Sequence, residues 1–198
     1  MQNTLSLKEK IVYESMRLFS SKGYLSTSIN DIMEKAKSSK GGLYNHFKSK
    51  DDIFFAVLSE ARKIWRERSL AGLDEIEKPV AKVKKLMENY KDRYLQDKKT
   101  FPGGCIFVTL SVELDDQKPN FSRELNEGFV RFKAMIRRLL DQGDKSGELR
   151  RDVSTEAVTE MIFSGMLGAS VVYGTEKSAA SLNRCINALI GYLDSLAP

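Results

Sequence analysis

Residues 28–52, SINDIMEKAKSSKGGLYNHFKSKDD, predict two short helices joined by a tight turn and followed by the start of a third. Over residues 29–36 the apolar positions recur at helical spacing and form one stripe: Ile29, Ile32, Met33 and Ala36. Ser28 supplies an N-cap oxygen for this helix, and Ser49 opens an S-x-x-D capping box for the third. Residues 39–47 can make about two helical turns in between.

A helical wheel divides residues 39–47 into an anchoring face and an outward face. Leu43 and Phe47 lie together, one turn apart. Four residues point away from them: Lys40, Gly41, Tyr44 and Asn45. A cation, a hydroxyl, an amide and a glycine that permits close approach are the groups that a protein uses at a DNA groove. The pattern therefore favours a helix whose outward face contacts DNA.

His46, the only histidine of the chain, lies in the same segment. It has no second histidine and no nearby cysteine with which to share a metal ion or a proton relay, so we expect a local hydrogen bond or a phosphate contact. No glycine-rich nucleotide-binding motif follows a predicted strand. The sequence thus predicts no catalytic residue, no metal site and no cofactor.

Positive charge is concentrated at the start of the 198-residue chain, whose net charge is +5. Residues 1–50 hold 9 Lys and Arg against 4 Asp and Glu, whereas residues 51–198 hold 23 of each kind. A basic head on a neutral body is typical of nucleic-acid binding. The apolar runs are shorter than the roughly 20 residues of a bilayer span, and residues 1–10 have no secretory core. We therefore expect a cytoplasmic protein with no membrane partner.

The remaining chain shows helical periodicity throughout. Further helices are predicted over residues 8–22, 50–70, 79–94, 119–143, 154–172 and 181–196. Residues 101–114, FPGGCIFVTLSVEL, could form a buried strand on propensity alone, but a solitary strand would lack a partner, so we predict a helix there. The sequence therefore predicts an all-α protein of about nine helices.

Residues 8–58 resemble the N-terminal domain of TetR-family transcriptional regulators. The matching marks keep their order and spacing: Phe19-x-x-x-Gly23-Tyr24, Thr27-Ser28, Ser39-Lys40-Gly41, Leu43-Tyr44-Asn45-His46-Phe47 and Lys50. The resemblance implies a three-helix helix-turn-helix domain over residues 1–50 and a larger helical domain for effector binding and dimerisation over residues 51–198. Two residues depart from the family pattern. Lys37 stands where the turn often has glycine, and Gly42 lies where the recognition helix usually has a side chain.

Carried over to this chain, the resemblance assigns the DNA contacts. Residues 28–47 would form the helix-turn-helix, with the recognition helix beginning at Ser39 and ending at His46. The major groove would be contacted by Lys40, Tyr44, Asn45 and His46, with Gly41 and Gly42 at closest approach. Thr27, Ser28 and Lys50, at helix N-termini, would hold phosphates.

For the second domain, the resemblance implies an effector cavity and a dimer interface. Large apolar residues at helical spacing are usually plain core. In this family a subset encloses an apolar or aromatic effector, and we predict Trp65, Tyr90, Cys105, Phe129 and Met166. The last two helices would pair two copies of the chain through Gly165, Gly168, Ala169, Leu189, Ile190 and Leu193, although the same stripes could pack within one chain.

The function so implied is a homodimeric regulator, most simply a repressor, which leaves an inverted-repeat DNA operator when a small molecule binds. One alternative is a thiol sensor of the same fold that reacts through Cys105. Another is an interaction module that has lost DNA binding. A thiol oxidoreductase would need a resolving cysteine or a cofactor motif, and Cys105 and Cys185 form no C-x-x-C unit.

Overall fold

The computed structural model describes residues 5–115 and 117–198 of the chain. The helices are α1 (Leu7–Lys22), α2 (Ile29–Ala36), α3 (Lys40–Tyr44), α4 (Lys50–Ser69), α5 (Pro79–Asn89), α6 (Ile106–Leu114), α7 (Pro119–Lys145), α8 (Thr155–Glu176) and α9 (Ala179–Asp194). A π-helical turn, Tyr90–Leu95, continues α5. The described residues contain no strand, so the predicted all-α fold is confirmed.

The first three helices form a small bundle closed by α4. Their starts carry the predicted caps: the hydroxyls of Ser28, Ser39 and Ser49 accept backbone N–H groups of α2, α3 and α4. Helix α3 is shorter than the predicted 39–47, because the chain turns after Tyr44 to meet the extended residue before α4. Phe47 is nevertheless 5% exposed, since this turn returns its ring to the core.

The larger bundle is built from α5 to α9. Helix α8 packs against both α7 and α9, and α5 packs against α7. Among the described residues, α8 is the one helix long and apolar enough to cross a membrane. Nine of its residues are buried inside this bundle, which is the arrangement of a core helix.

Residues 101–105 precede α6 as turns, and the prediction of a helix over 101–114 was wrong for this part. Gly104 has φ 101°, a left-handed conformation that favours glycine. A Cβ on Gly103 would lie 1.7 Å from the carbonyl oxygen of Ser20 in α1. The sequence Gly103-Gly104 thus permits a close backbone contact with α1, where a helix could not fit.

The two bundles share an aromatic core around Tyr24. The Tyr24 ring has edge contacts with Phe19, Phe54 and Phe121, at centroid distances of 5.3–5.5 Å. Phe54 of α4 and Phe121 of α7 stack at 3.9 Å. Because these rings come from α1, α4 and α7, the small bundle is packed directly on the large one.

Candidate DNA-contacting face and adjoining cavity

The residues predicted to contact DNA bases lie on an open surface around α3. We define the outer face as Lys40, Gly41, Tyr44, Asn45 and His46, all of which are exposed. Leu43 is fully buried beneath them, as the helical wheel predicts. The outer face therefore offers a cation, a hydroxyl, an amide and an imidazole to a groove while the same helix is anchored from below.

Gly42 lies on the other side of α3 from the outer face, and its predicted approach to the DNA groove stays a prediction. A Cβ there would lie 3.2 Å from Cδ2 of Leu7 and 3.1 Å from Oγ of Ser38. The absent side chain thus permits α3 to approach α1. Gly41 has no heavy atom within 4 Å of the corresponding position, so it is the glycine that faces open space.

Ser28 and Ser39 are exposed, but their side chains are engaged in capping. The Ser28 hydroxyl donates to Asp31 at 2.8 Å and accepts the Asp31 N–H at 3.1 Å. The Ser39 hydroxyl accepts the Gly42 N–H at 3.1 Å. The position of Ser28 at a helix start agrees with its predicted phosphate contact. Ser39, at the start of the recognition helix, is predicted to contact DNA, and both contacts remain predictions.

The side chains of Thr27 and Lys50 bind groups of the protein itself, and their predicted phosphate contacts stay a prediction. The Thr27 side chain is fully buried, and its hydroxyl donates to the Gly23 carbonyl at 2.6 Å. The Lys50 ammonium donates to the carbonyls of Tyr24 and Thr27, each at 2.9 Å, and lies 4.1 Å from the Tyr24 ring centroid. Burial lowers the pKa of Lys50. Lys50 therefore joins α4 to residues 23–28, which we call the α1–α2 loop.

Helix α6 holds the same loop from the opposite side. The Glu113 carboxylate accepts the backbone N–H groups of Tyr24 at 2.6 Å and Leu25 at 2.9 Å. The Ser20 hydroxyl donates to the Gly104 carbonyl and accepts the Gly103 N–H. The α1–α2 loop is thus bound by the start of α4 and the end of α6.

A cavity of about 240 Å³ lies in the larger bundle, between α4, α6, α7 and α8. Four of the five predicted effector residues line it: Trp65, Tyr90, Cys105 and Phe129. The fifth, Met166, is fully buried but does not line the cavity. Its neighbour Leu167 lines the cavity from α8 instead.

The sequence reasoning missed several residues of the cavity wall. They include Arg62, Arg66, Gly128, Arg131, Phe132 and Met135. A usable signal was present for four of them, because Arg62 and Phe132 lie three positions from Trp65 and Phe129, and Arg66 and Gly128 lie next to those residues. Attention to large apolar side chains alone excluded the arginines.

The buried end of the cavity carries a phenol and a thiol. Tyr90 is 2% exposed, and its hydroxyl meets no partner with hydrogen-bond geometry among the residues that the structure describes. Burial raises the pKa of Tyr90 well above its ordinary value, and burial also raises the pKa of Cys105. A reactive thiol needs a lowered pKa and access to solvent. The surroundings of Cys105 are therefore those of an unreactive thiol, which disfavours the thiol-sensor alternative.

The residues predicted for the dimer interface fall into two groups. A Cβ on Gly165 would lie 2.6 Å from the Leu189 side chain of the same chain, and Ala169 and Leu193 are buried. These four residues therefore take part in packing α8 against α9 within one chain, the alternative that the sequence left open, and their place between chains stays a prediction. Gly168 has no heavy atom within 4 Å of its Cβ position and is exposed. Ile190 is half-buried.

Two family models cover most of the chain. Residues 11–57 match the model described as bacterial regulatory proteins, tetR family. Residues 79–189, more than half of the chain, match the model described as tetracyclin repressor-like, C-terminal domain. The first match contains α2, α3 and the outer face, and the second contains α5 to α8 and most of the cavity wall.

Individual proteins give the same result. An uncharacterised HTH-type transcriptional regulator in the lacX 3' region of Lactococcus lactis subsp. lactis is 34% identical over 128 residues. The aligned part is 64% of this chain and 64% of that relative, just under two thirds of its length. The HTH-type transcriptional repressor DhaR of Mycobacterium sp. (strain GP1) is 24% identical over 179 residues, covering 90% and 87% of the two chains.

A solved structure matches nearly the whole fold. The crystal structure of a TetR transcriptional regulator from Chloroflexus aurantiacus J-10-FL superposes with a TM-score of 0.88 and 27% sequence identity, covering 96% of each chain. The predicted family is thereby confirmed. The chain belongs to the tetR family of bacterial regulatory proteins and is a DNA-binding transcriptional regulator.

Proposed function

We propose that the protein is a repressor whose affinity for its DNA operator falls when a small molecule enters the cavity. Its role is regulatory and not enzymatic, and it acts in the cytoplasm. DhaR, which is similar to this chain over 179 residues, is named a repressor, and this similarity supports the direction of control.

One observation carries the proposal: two helices each connect the cavity wall to the α1–α2 loop. On α4, Trp65 lines the cavity and Lys50 binds the loop. At α6, Cys105 lines the cavity, and Glu113 near the other end binds the loop. A ligand that favours a different packing of either helix would therefore displace the loop that positions α2 and α3.

The proposed protein is a homodimer that binds an inverted repeat. The outer faces of two copies would enter major grooves about 34 Å apart, or a multiple of that distance. Helices α8 and α9 would form the interface through their exposed residues, which include Met161, Gly168, Val171, Ala188 and Gly191. Residues 1–50 would serve as the DNA-binding part and residues 51–198 as the effector-binding and dimerisation part. Residues 1–4 and 116 of that division lie outside the described residues.

The test begins with DNA selected from a random pool by the purified full-length protein. Fluorescence anisotropy should show that affinity for the selected DNA falls steeply with salt, with a log–log slope of about −0.9 per phosphate contact. Asn45→Ala on the outer face should weaken binding by about 1–3 kcal/mol. Asn126→Ala removes an exposed amide from α7 and should leave the affinity unchanged.

A second measurement tests release. Compounds that quench the fluorescence of Trp65, the only tryptophan of the chain, report occupation of the cavity. At least one of them should weaken binding to the selected DNA by roughly 5- to 150-fold. Unchanged DNA affinity with every compound that quenches Trp65 would contradict the proposed control, and failure to select any DNA would contradict the DNA-binding role.

A further inference from the structure

The wall of the cavity has an excess of positive charge. Among the described residues, three arginines line it, Arg62 and Arg66 from α4 and Arg131 from α7, and no Asp or Glu does. Arg62 pairs with Glu124 at 3.2 Å, and Arg131 pairs with Glu127 at 3.5 Å. Across the described parts of the chain, no carboxylate pairs with Arg66. One guanidinium at the cavity is therefore not neutralised by the protein.

Polarity and exposure change together along the cavity. The side chains of Arg62 and Arg131 are 26% and 64% exposed, and Arg66 is exposed as well. Tyr90 and Cys105, at the other extreme, are 2% and 6% exposed. The cavity therefore has a solvated end with arginines and a dry end with a phenol.

Among the described residues, no group meets the Tyr90 hydroxyl at the dry end with hydrogen-bond geometry, although Ser170 and Cys105 lie close enough to affect its pKa. A buried hydroxyl without a well-placed partner is destabilising. Tyr94, the next tyrosine on the same segment, is paired differently, since its hydroxyl lies 3.8 Å from the Cys105 sulfur. Tyr90 also begins the π-helical turn, and such turns are frequent at functional sites. An acceptor on a ligand would satisfy this donor.

The walls between the two ends are aromatic. Trp65 and Phe132 meet edge to face at 4.8 Å, and Phe129 lies close by on α7. Offset and edge contacts with such rings favour a flat aromatic guest. The volume of about 240 Å³ is below the roughly 300–1,000 Å³ of pockets for drug-sized ligands, so the guest must be small.

We propose that the cavity binds a small aromatic carboxylate, with its carboxylate group at Arg66 and a hydrogen-bond acceptor at its far end directed to the Tyr90 hydroxyl. This inference rests on the proposed function, because it names the chemical class of the effector. Arginine binds carboxylates through paired N–H groups, and this is why the proposed ligand carries a carboxylate. The ring fills the aromatic middle of the cavity.

Three matched compounds test the proposal by calorimetric titration of the full-length protein, with Trp65 fluorescence reporting the site. They are 4-acetylbenzoate, its neutral amide 4-acetylbenzamide, and 4-isopropylbenzoate, which has the same number of heavy atoms and a similar size but no acceptor at that end. We expect 4-acetylbenzoate to bind about tenfold more tightly than the amide and about fivefold more tightly than the isopropyl compound. Equal or stronger binding of the amide, or no binding of any of the three, overturns the proposal.

Two variants test which residue produces each binding preference, that for the carboxylate over the amide and that for the acetyl over the isopropyl group. Arg66→Gln should abolish the preference for the carboxylate over the amide, whereas Lys63→Gln, which removes an exposed cation from the same helix outside the cavity wall, should preserve it. Tyr90→Phe keeps the buried ring and should remove only the preference for the acetyl over the isopropyl group. A carboxylate preference that survives Arg66→Gln, or an acetyl preference that survives Tyr90→Phe, contradicts the assigned contacts.

The outcome separates this inference from the proposed function. If 4-acetylbenzoate does not bind but another compound quenches Trp65 and weakens DNA binding, the ligand class is wrong and the repressor mechanism stands. If 4-acetylbenzoate binds with the expected preferences but neither it nor any other ligand of the cavity alters DNA affinity, the site is real and the proposed control fails.

Discussion

Lys37 holds a left-handed conformation, φ 52°, at the end of α2, and Lys177 does the same at the end of α8. Such a conformation costs a residue with a Cβ roughly 1–2 kcal/mol. We therefore expect Lys37→Gly and Lys177→Gly each to raise the free energy of unfolding by about 1 kcal/mol, measured by urea denaturation at fixed protein concentration. Lys37→Ala keeps the Cβ and should give no increase. An equal gain from alanine would show that loss of the lysine charge, and not relief of strain, is responsible.

The Asp31 carboxylate should make the stability of the protein depend on pH. The Ser28 backbone N–H, the Lys22 ammonium and the Ser28 hydroxyl lower the pKa of Asp31 from 3.8 to about 2. Because the pKa is lowered in the folded state, the stabilisation is complete above pH 3.8 and disappears as the pH falls toward about 2. Asp31→Asn should thus be less stable than the wild type at neutral pH.

The difference between Asp31→Asn and the wild type should shrink as the pH falls through that window, as followed by urea unfolding. Asp74→Asn, which removes an exposed carboxylate between α4 and α5, controls for the change in net charge. A difference that stays constant down to acidic pH would mean that the capping contacts of Asp31 do not depend on its charge.

Single residues of the outer face were predictable from the sequence because a helical wheel fixes which side chains oppose Leu43. Lys50 was not, because its long side chain turns back to two carbonyls that only the folded α1–α2 loop brings together. The closeness of Gly42 to Leu7 was missed for a related reason: Leu7 is distant in sequence. Local periodicity thus predicts exposure well where the partner is on the same helix.

The backbone of residues 101–105 packs closely against α1. Alanine at Gly103 would place a Cβ 1.7 Å from the Ser20 carbonyl oxygen, and backbone cannot move aside as a flexible side chain can. We expect Gly103→Ala to lower the free energy of unfolding by roughly 1–3 kcal/mol. Gly41→Ala meets no atom within 4 Å and should raise it by about 0.5–1 kcal/mol. Urea denaturation of both variants checks this, and a stable Gly103→Ala protein would show that the junction can separate at little cost.

Most helices were predicted within two or three residues because caps and breakers flank them, as Ser154 and Pro119 do. The exceptions have tertiary causes. Residues 101–105 are turns because their glycines meet α1, and α3 ends early because the chain must return to α4. The π-helical turn after α5 left no mark in the 3-4-3-4 spacing of apolar residues, since Tyr90 and Tyr94 are both buried in either form.

The complete protein is expected to depend on a second copy. Val171 on α8 is 49% exposed on the proposed interface, and Val112 on α6 is 76% exposed elsewhere. Val171→Arg should convert the dimer to a monomer in sedimentation experiments and sharply weaken binding to the selected DNA, because a buried unpaired charge is costly at an interface. Val112→Arg should remain dimeric. Dimerisation that survives Val171→Arg would exclude this part of α8 from the interface.

At the scale of the whole molecule, part of the cavity wall could be predicted from the sequence. Large apolar side chains at helical spacing, with a family precedent, were enough to find Trp65, Tyr90, Cys105 and Phe129. The arginines were missed because a charge on a helix is usually solvated, and only the packing of α4 beside α7 turns Arg62 and Arg131 toward one space. The apolar pattern thus predicted where the cavity lies, whereas the charged groups on its wall follow only from how the helices pack.

Because the turn Tyr90–Leu95 is π-helical, the local structure depends on the number of residues there as well as on their identity. Its wider hydrogen bonding accommodates one more residue than the neighbouring α-helix would. Deleting one residue there, such as the half-buried Lys91, would remove the extra residue and restore regular α-helical winding, while the residues beyond it would keep nearly the same orientation relative to α5. Tyr90 would then lose its π-helical setting at the buried end of the cavity. Gain or loss of a single residue at this point would therefore alter the cavity wall while leaving the rest of the bundle in place.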